Sequence, residues 1–121
     1  MTDRSRPVRY DFDGFELQPE ERRLLAAGQP VALGPRAFDL LVVLLRHHDR
    51  VVSKEELLDG VWGHRFLSEA NLTTRIKEVR RAVGDDGRRQ HRIKNVRGRG
   101  YRFVAPVSSA PPSSGRPRTP P

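Results

Sequence analysis

SEANLTTRIKEVRRAVGDDGRRQHRIKNVRGRGYR, residues 68–102, is the stretch on which the fold turns. Leu72, Ile76, Val79 and Val83 stand at i, i+4, i+7 and i+11, the spacing of a narrow apolar stripe along an amphipathic helix. Ser68 can cap this helix and Gly84 can stop it, so a helix is predicted over 68–83. Projected at about 100° per residue, the side opposite the stripe holds Thr73, Thr74, Lys77, Glu78 and Arg81, with Arg75 and Arg80 on the flanks. Hydroxyls and cations therefore share one outward face. Asp85-Asp86-Gly87 reads as a turn. Ile93 and Val96 open a strand, the chain reverses at Arg97-Gly98-Arg99-Gly100, and Tyr101-Arg102-Phe103-Val104 returns, which predicts a β-hairpin tipped with arginine.

Upstream, Ser53-Lys54-Glu55-Glu56 is a capping box, in which serine and Glu56 satisfy backbone donors reciprocally. It opens a short helix through Leu57, Leu58 and Val61 that breaks at Trp62-Gly63-His64-Arg65-Phe66. Earlier still, Pro35 stands where a first helical turn accepts proline, and Phe38, Leu41, Leu44 and Leu45 recur at helical spacing to about His48-Asp49. Leu40, Val42 and Val43 make this helix apolar almost all round, the mark of a central helix covered on several sides. The first residues, Tyr10 to Leu17, alternate apolar and polar around Gly14, and Arg23–Ala26 and Gln29–Leu33 flank Ala27-Gly28. Both patterns are hairpins, so an antiparallel sheet of about four strands is predicted. Beyond Ala105 the composition shifts to Pro, Ser, Gly and Arg, too polar to offset the entropy of ordering. Residues 8–106 are expected to form one domain, 1–7 a disordered N-terminus and 107–121 a flexible tail or linker.

Charge is segregated in the same way. Residues 1–67 hold 10 basic and 11 acidic side chains, a balance of −1, whereas 68–102 hold 11 basic and 4 acidic, a balance of +7; Arg116 and Arg118 bring the whole to +8. A near-neutral body with a concentrated cationic third is built to meet a polyanion. The chain has no cysteine, which excludes disulfides, zinc ribbons, iron–sulfur ligation and thiol catalysis. Its longest apolar run, Leu40 to Leu45, falls far short of the roughly 20 residues a membrane span needs. No secretory leader is apparent at Asp3, Arg4 and Arg6, so a cytoplasmic protein is expected.

Sheet, buried helix, short helix, polar-faced helix and basic hairpin, in that order, make an α+β winged helix-turn-helix. A helix fits the major groove of duplex DNA, and short polar or cationic side chains on its outer face reach base edges. Thr73, Thr74, Lys77 and Arg81 suit that role. Glycines at the hairpin tip allow close approach, so Arg99 can project toward a phosphate or into a narrow minor groove, flanked by Arg97, Tyr101 and Arg102.

Leu33 to Phe38, Leu40-Leu41, Val51 to Leu58, Val61-Trp62-Gly63, Ile76 to Val83 and Ile93 to Phe103 resemble the winged-helix effector domain of OmpR/PhoB-type transcriptional regulators over roughly residues 8 to 105. The resemblance implies a four-stranded N-terminal sheet, three helices and a C-terminal hairpin wing. The third helix, 68–83, would enter the major groove and the wing, 97–102, would lie on the minor groove or backbone. It implies contact groups among Thr73, Thr74, Arg75, Lys77, Glu78, Arg80 and Arg81, and Arg97, Arg99, Tyr101 and Arg102. It further implies that the loop with His64, Arg65 and Phe66 touches RNA polymerase, and that a monomer in solution pairs head to tail on DNA. This chain departs from the family pattern at Gly34 and Ala37, where a hydroxyl cap and a glutamate are common. Its winged helix begins near the N-terminus and is followed by a Pro/Ser tail, an order similar to ToxR/CadC-like regulators.

Other chemistries read less well. Glu55-Glu56 in a first helical turn is favoured by the helix dipole and needs no acid–base role. His47, His48, His64 and His91 lack metal-ligand spacing, and no cofactor is implied. Gly98-Arg99-Gly100 has no third glycine and lies in a hairpin, not between a strand and a helix. No nucleophile–base grouping marks an enzyme. The competing function is a protein- or RNA-interaction module that uses the same basic face.

Overall fold

A computed structural model describes residues 9–62 and 69–110. Its N-terminal sheet grows from two tight hairpins. β1 (Arg9–Phe12) and β2 (Phe15–Gln18) pair with Phe12 opposite Phe15, and β3 (Arg23–Ala26) and β4 (Gln29–Pro30) pair with Ala26 opposite Gln29. Each loop thus has two residues, Asp13-Gly14 and Ala27-Gly28. All four have positive φ (44°, 83°, 52° and 81°), the conformation that matches a two-residue turn to strand twist. Strand alternation sends Tyr10, Phe12, Leu17 and Leu24 into the core.

The four expected strands are joined by a fifth. β8 (Ser108–Ala110) runs antiparallel along β1, giving the order β4-β3-β2-β1-β8. These residues lie inside the stretch expected to be a flexible tail, so the sequence-based boundary at 107 is too early for them. Their side chains carry no strand signal. They are held by the open backbone edge of β1, which pairs with any chain of suitable reach. The expected disordered N-terminus, 1–7, and the remainder of the tail, 111–121, lie outside the described residues.

The central helix, α1 (Pro35–Arg46), buries Ala37, Phe38, Leu40, Leu41, Val42, Leu44 and Leu45, as an all-round apolar helix must. It packs against α2 (Lys54–Trp62), α3 (Glu69–Ala82) and the returning wing strand β7 (Gly100–Phe103). The capping box at α2 forms as its sequence predicts: Glu56 N–H donates to Ser53 Oγ at 3.1 Å, and Ser53 N–H donates to Glu56 Oε1 at 3.0 Å. Arg50 adds a two-pronged pair to the same carboxylate, 2.9 Å on each side. Together the Arg50 and Ser53 hydrogen bonds hold the Glu56 carboxyl at about 2, well below the usual carboxylate range.

The wing hairpin gains a third strand and becomes a second sheet. β5 (Val52–Ser53) pairs with β7, which pairs with β6 (Ile93–Val96), in the order β5-β7-β6. Two residues are too few for a periodicity to show. The tertiary cue is Gly100, opposite Ser53: a methyl group there would overlap the Val52 carbonyl oxygen and lie 2.8 Å from Ser53 Cα. Only glycine lets these backbones close. Phe12 meets Phe103 edge-on at 5.0 Å and joins the two sheets.

Candidate nucleic-acid interface

The third helix owes its orientation to its stripe. Leu72, Ile76, Val79 and Val83 are all at most 1% exposed, so the opposite side is committed to solvent. Thr73, Thr74, Lys77 and Arg81 are exposed there, as their positions predict. Thr74 Oγ1 donates to the Ala70 carbonyl at 3.0 Å, which leaves its lone pairs to accept. Ser68, expected to cap this helix, lies outside the described residues, as do His64, Arg65 and Phe66.

The two flanks of α3 are occupied by protein. On one flank, Arg80 is 8% exposed, and its Nε and Nη2 both donate to the Ile93 carbonyl at 3.2 and 3.0 Å. Arg80, one of the contact groups that the resemblance implied, is thus engaged within the fold as a strut between α3 and the wing strand β6. On the other flank, Glu78 Oε2 accepts the Gly34 N–H at 2.8 Å, while Arg75 Nη1 lies 2.5 Å from Glu78 Oε1. Glu78, too, is engaged within the fold. The departure at Gly34 is explained here: α1 has no side-chain cap of its own, and a carboxylate from α3 lies at its N-terminus instead.

The C-terminus of α3 closes with a Schellman motif. Gly84 takes φ 72°, its N–H donates to the Arg81 carbonyl, and Asp85 N–H donates to the Arg80 carbonyl at 2.7 Å. Asp85 then organises the connection to β6. Its fully buried carboxylate accepts from the backbone N–H groups of Asp86, His91, Arg92 and Ile93 at 2.8 to 3.1 Å, and lies 2.9 Å from His91 Nδ1. Burial pushes this carboxyl up, but the four backbone donors outweigh it and hold it at about 2. The sequence marks Asp85 only as a turn former. The motif of an acid just past a helix-stopping glycine is visible in the sequence, but its four partners are not.

The wing keeps its cations outward. Arg97, Arg99 and Arg102 are exposed, and the tip turns through Arg99 N–H donating to the Val96 carbonyl at 2.9 Å. Tyr101 is different: it is 6% exposed, because the pleat that turns Arg102 out turns residues 101 and 103 in. Its ring belongs to the core of the wing. The register adds one residue that sequence reading passed over. Lys94 stands directly opposite Arg102, and both are exposed. Like charges opposed across a ladder are destabilising. The hairpin signal could have found Lys94, since fixing the turn at 97–99 fixes its partner.

A helix with a committed outer face, strutted on one flank to a cationic hairpin, defines the winged helix-turn-helix class of DNA-binding domain. Residues 28–103 match the family model described as transcriptional regulatory protein, C terminal. The chain belongs to that family, the OmpR/PhoB-type domains of transcriptional regulators, and the family is not one of enzymes. The phosphate regulon transcriptional regulatory protein PhoB of Escherichia coli K12 is 34% identical over 94 residues, covering 77% of this chain and 41% of PhoB. The chain thus spans about two fifths of the length of that relative. Among solved structures, the Klebsiella pneumoniae RstA DNA-binding domain in complex with the RstA box superposes with a TM-score of 0.72 at 27% identity, covering 79% of this chain and 96% of that one. The DNA-binding domain of E. coli CadC gives 0.71 at 28%, covering 85% and 97%. Among the described residues no helix is long and apolar enough to cross a membrane.

Proposed function

We propose that this domain binds duplex DNA sequence-specifically for a transcriptional regulator, with α3 in the major groove and the wing on the adjacent minor groove or backbone. Thr73, Thr74, Lys77 and Arg81 are the base-reading set, with Arg75 beside them; Lys94, Arg97, Arg99 and Arg102 meet phosphates. The observation that carries this reading is the apposition of Lys94 and Arg102 below the arginine tip. A fold that places like charges face to face gains from a polyanion between or above them. RstA, whose similar DNA-binding domain was solved in complex with the RstA box, supports the DNA-binding part of this reading.

The resemblance extends the proposal. His64, Arg65 and Phe66 would face RNA polymerase, the free domain would be monomeric, and two copies would bind head to tail on direct repeats in the cytoplasm. Selection from a random duplex pool tests the core claim: an enriched motif is expected, and its repeat spacing reports the stoichiometry. If about six phosphates are neutralised, affinity should fall on the order of 10³-fold between 50 and 200 mM salt. Arg99→Ala should weaken all duplexes alike, whereas Lys77→Ala and Arg81→Ala should relax sequence discrimination. Tighter binding to single-stranded DNA or structured RNA than to any duplex would replace this reading with the interaction-module alternative.

A further inference from the structure

Glu78 sits on the recognition helix, and a carboxylate on a DNA-facing helix invites a role in reading bases. Its surroundings say otherwise. Oε2 accepts the Gly34 N–H at 2.8 Å, across 44 positions of sequence, and Oε1 faces the Arg75 guanidinium. The side chain is 32% exposed and that of Arg75 is 36% exposed, so the pair sits at the margin of the outward face. Gly34 itself has φ −64° and ψ 160°, a conformation open to any residue. Backbone geometry therefore gives no reason for glycine. Space does: a Cβ at Gly34 would lie 2.9 Å from Glu78 Oε2.

We infer that Glu78 is a positioning residue for DNA recognition: its carboxylate seats α3 on the N-terminus of α1 through the notch at Gly34 and fixes the Arg75 guanidinium at the edge of the DNA-facing surface. Arg80 holds the opposite flank to β6, so α3 is braced on both sides. A helix braced on one side only can roll about its stripe, and a roll of a few degrees moves every outward side chain relative to a base edge. Sequence discrimination then depends on a contact that never reaches the nucleic acid. This rests on the DNA-binding reading above, but its first test needs no DNA.

The notch makes the test clean. Gly34→Ala is unstrained in backbone terms and, taken alone, would stabilise by restricting the unfolded chain. Its methyl group should nevertheless displace the carboxylate. In the free protein, the Gly34 amide proton of Glu78→Ala should lose its hydrogen-bonded NMR shift and exchange protection, whereas Glu78→Gln, whose amide oxygen can still accept, should keep both. On the selected motif, Gly34→Ala and Glu78→Ala should each weaken binding about tenfold, with random duplex changed less than twofold; Arg75→Ala should weaken the motif by a similar factor and, having lost a cation, random duplex as well. The double variants Gly34→Ala/Glu78→Ala and Arg75→Ala/Glu78→Ala should be no worse than Glu78→Ala. Glu78→Gln should fall between wild type and Glu78→Ala on the motif.

Tighter binding of Glu78→Ala to both motif and random duplex would overturn the inference, since that is what removing a mere phosphate-repelling charge does. Losses that multiply in the double variants, or a preference changed at a single base pair by Gly34→Ala or Glu78→Ala, would overturn it as well. If Glu78→Ala does not fold, Gly34→Ala, Glu78→Gln and Arg75→Ala decide the same question. Failure of the wild type to enrich any motif would sink the DNA-binding reading while leaving the Gly34 amide measurement to stand or fall by itself.

Discussion

Arg80 and Arg81 are neighbours of identical chemistry in two regions that use charge in opposite ways. In the joint between α3 and β6, the Arg80 guanidinium meets the Ile93 carbonyl and the Asp85 carboxylate collects four backbone donors. On the outward surface, Lys77 and Arg81 point to solvent and Lys94 faces another cation. The joint converts charge into rigidity because the low-dielectric interior strengthens each matched contact and penalises any loss. The surface keeps charge for a partner, since cations in water contribute little to a fold. A count of basic residues does not separate the two. Burial and bonding partners do.

The comparison breaks most sharply at Asp85. Asp85→Ala leaves four backbone N–H groups without their acceptor and should lower stability by about 3 kcal/mol, visible as a drop in thermal midpoint on the order of 10 °C or more for a domain of this size. An unchanged midpoint would mean that the joint is not what holds α3 to β6. Acid should act on the same group. Its folded-state carboxyl, at about 2, lies below the ordinary 3.8, so the charged form is favoured by folding. That stabilisation is full above about pH 4 and is lost as pH falls through about 2, a change of about 2 kcal/mol. Denaturant titrations of wild type and Asp85→Asn between pH 5 and 2 should show a shallower slope in the variant, reduced by the Asp85 share, while the Glu56 carboxyl, also held at about 2, keeps its own share in both.

Surface variants should behave in the reverse sense. Lys77→Ala or Arg81→Ala should weaken binding to the selected motif about tenfold, about 1.4 kcal/mol, while shifting stability by less than about 0.5 kcal/mol; equal losses on motif and random duplex would deny them a base-reading role. The smallest effect is expected at Lys94. Lys94→Ala relieves its opposition to Arg102 and should stabilise the domain by a few tenths of a kcal/mol, on the order of 0.3, while lowering affinity for all duplexes and reducing the salt slope by about 1. Lower stability in that variant would mean that Lys94 packs rather than waits for phosphate.

Much of this was legible in the chain because its partners are near in sequence or periodic. The Leu72–Val83 stripe follows from helical spacing, Asp13-Gly14 and Ala27-Gly28 from two-residue turn chemistry, and the Ser53–Glu56 box from a separation of three residues. What escaped has distant partners. At about 100° per residue, Arg80 and Arg75 both lie about 70° from the centre of the stripe, on opposite sides, and nothing local says what each flank will meet. β8 escaped because an edge recruits backbone irrespective of side chain, and β5 because two residues carry no period.

Taken alone, the order of amino acids determined the hairpins, the three helices, the apolar side of α3 and the concentration of cations after residue 68, since each depends on interactions within a few residues or one helical turn. Tertiary structure alone decided which charged groups are engaged inside the fold: Arg80 by Ile93 and Glu78 by Gly34. The physical reason is that a charged side chain is exposed by default and turns inward only where another segment, 13 positions away for Arg80 and 44 for Glu78, supplies matched donors or acceptors.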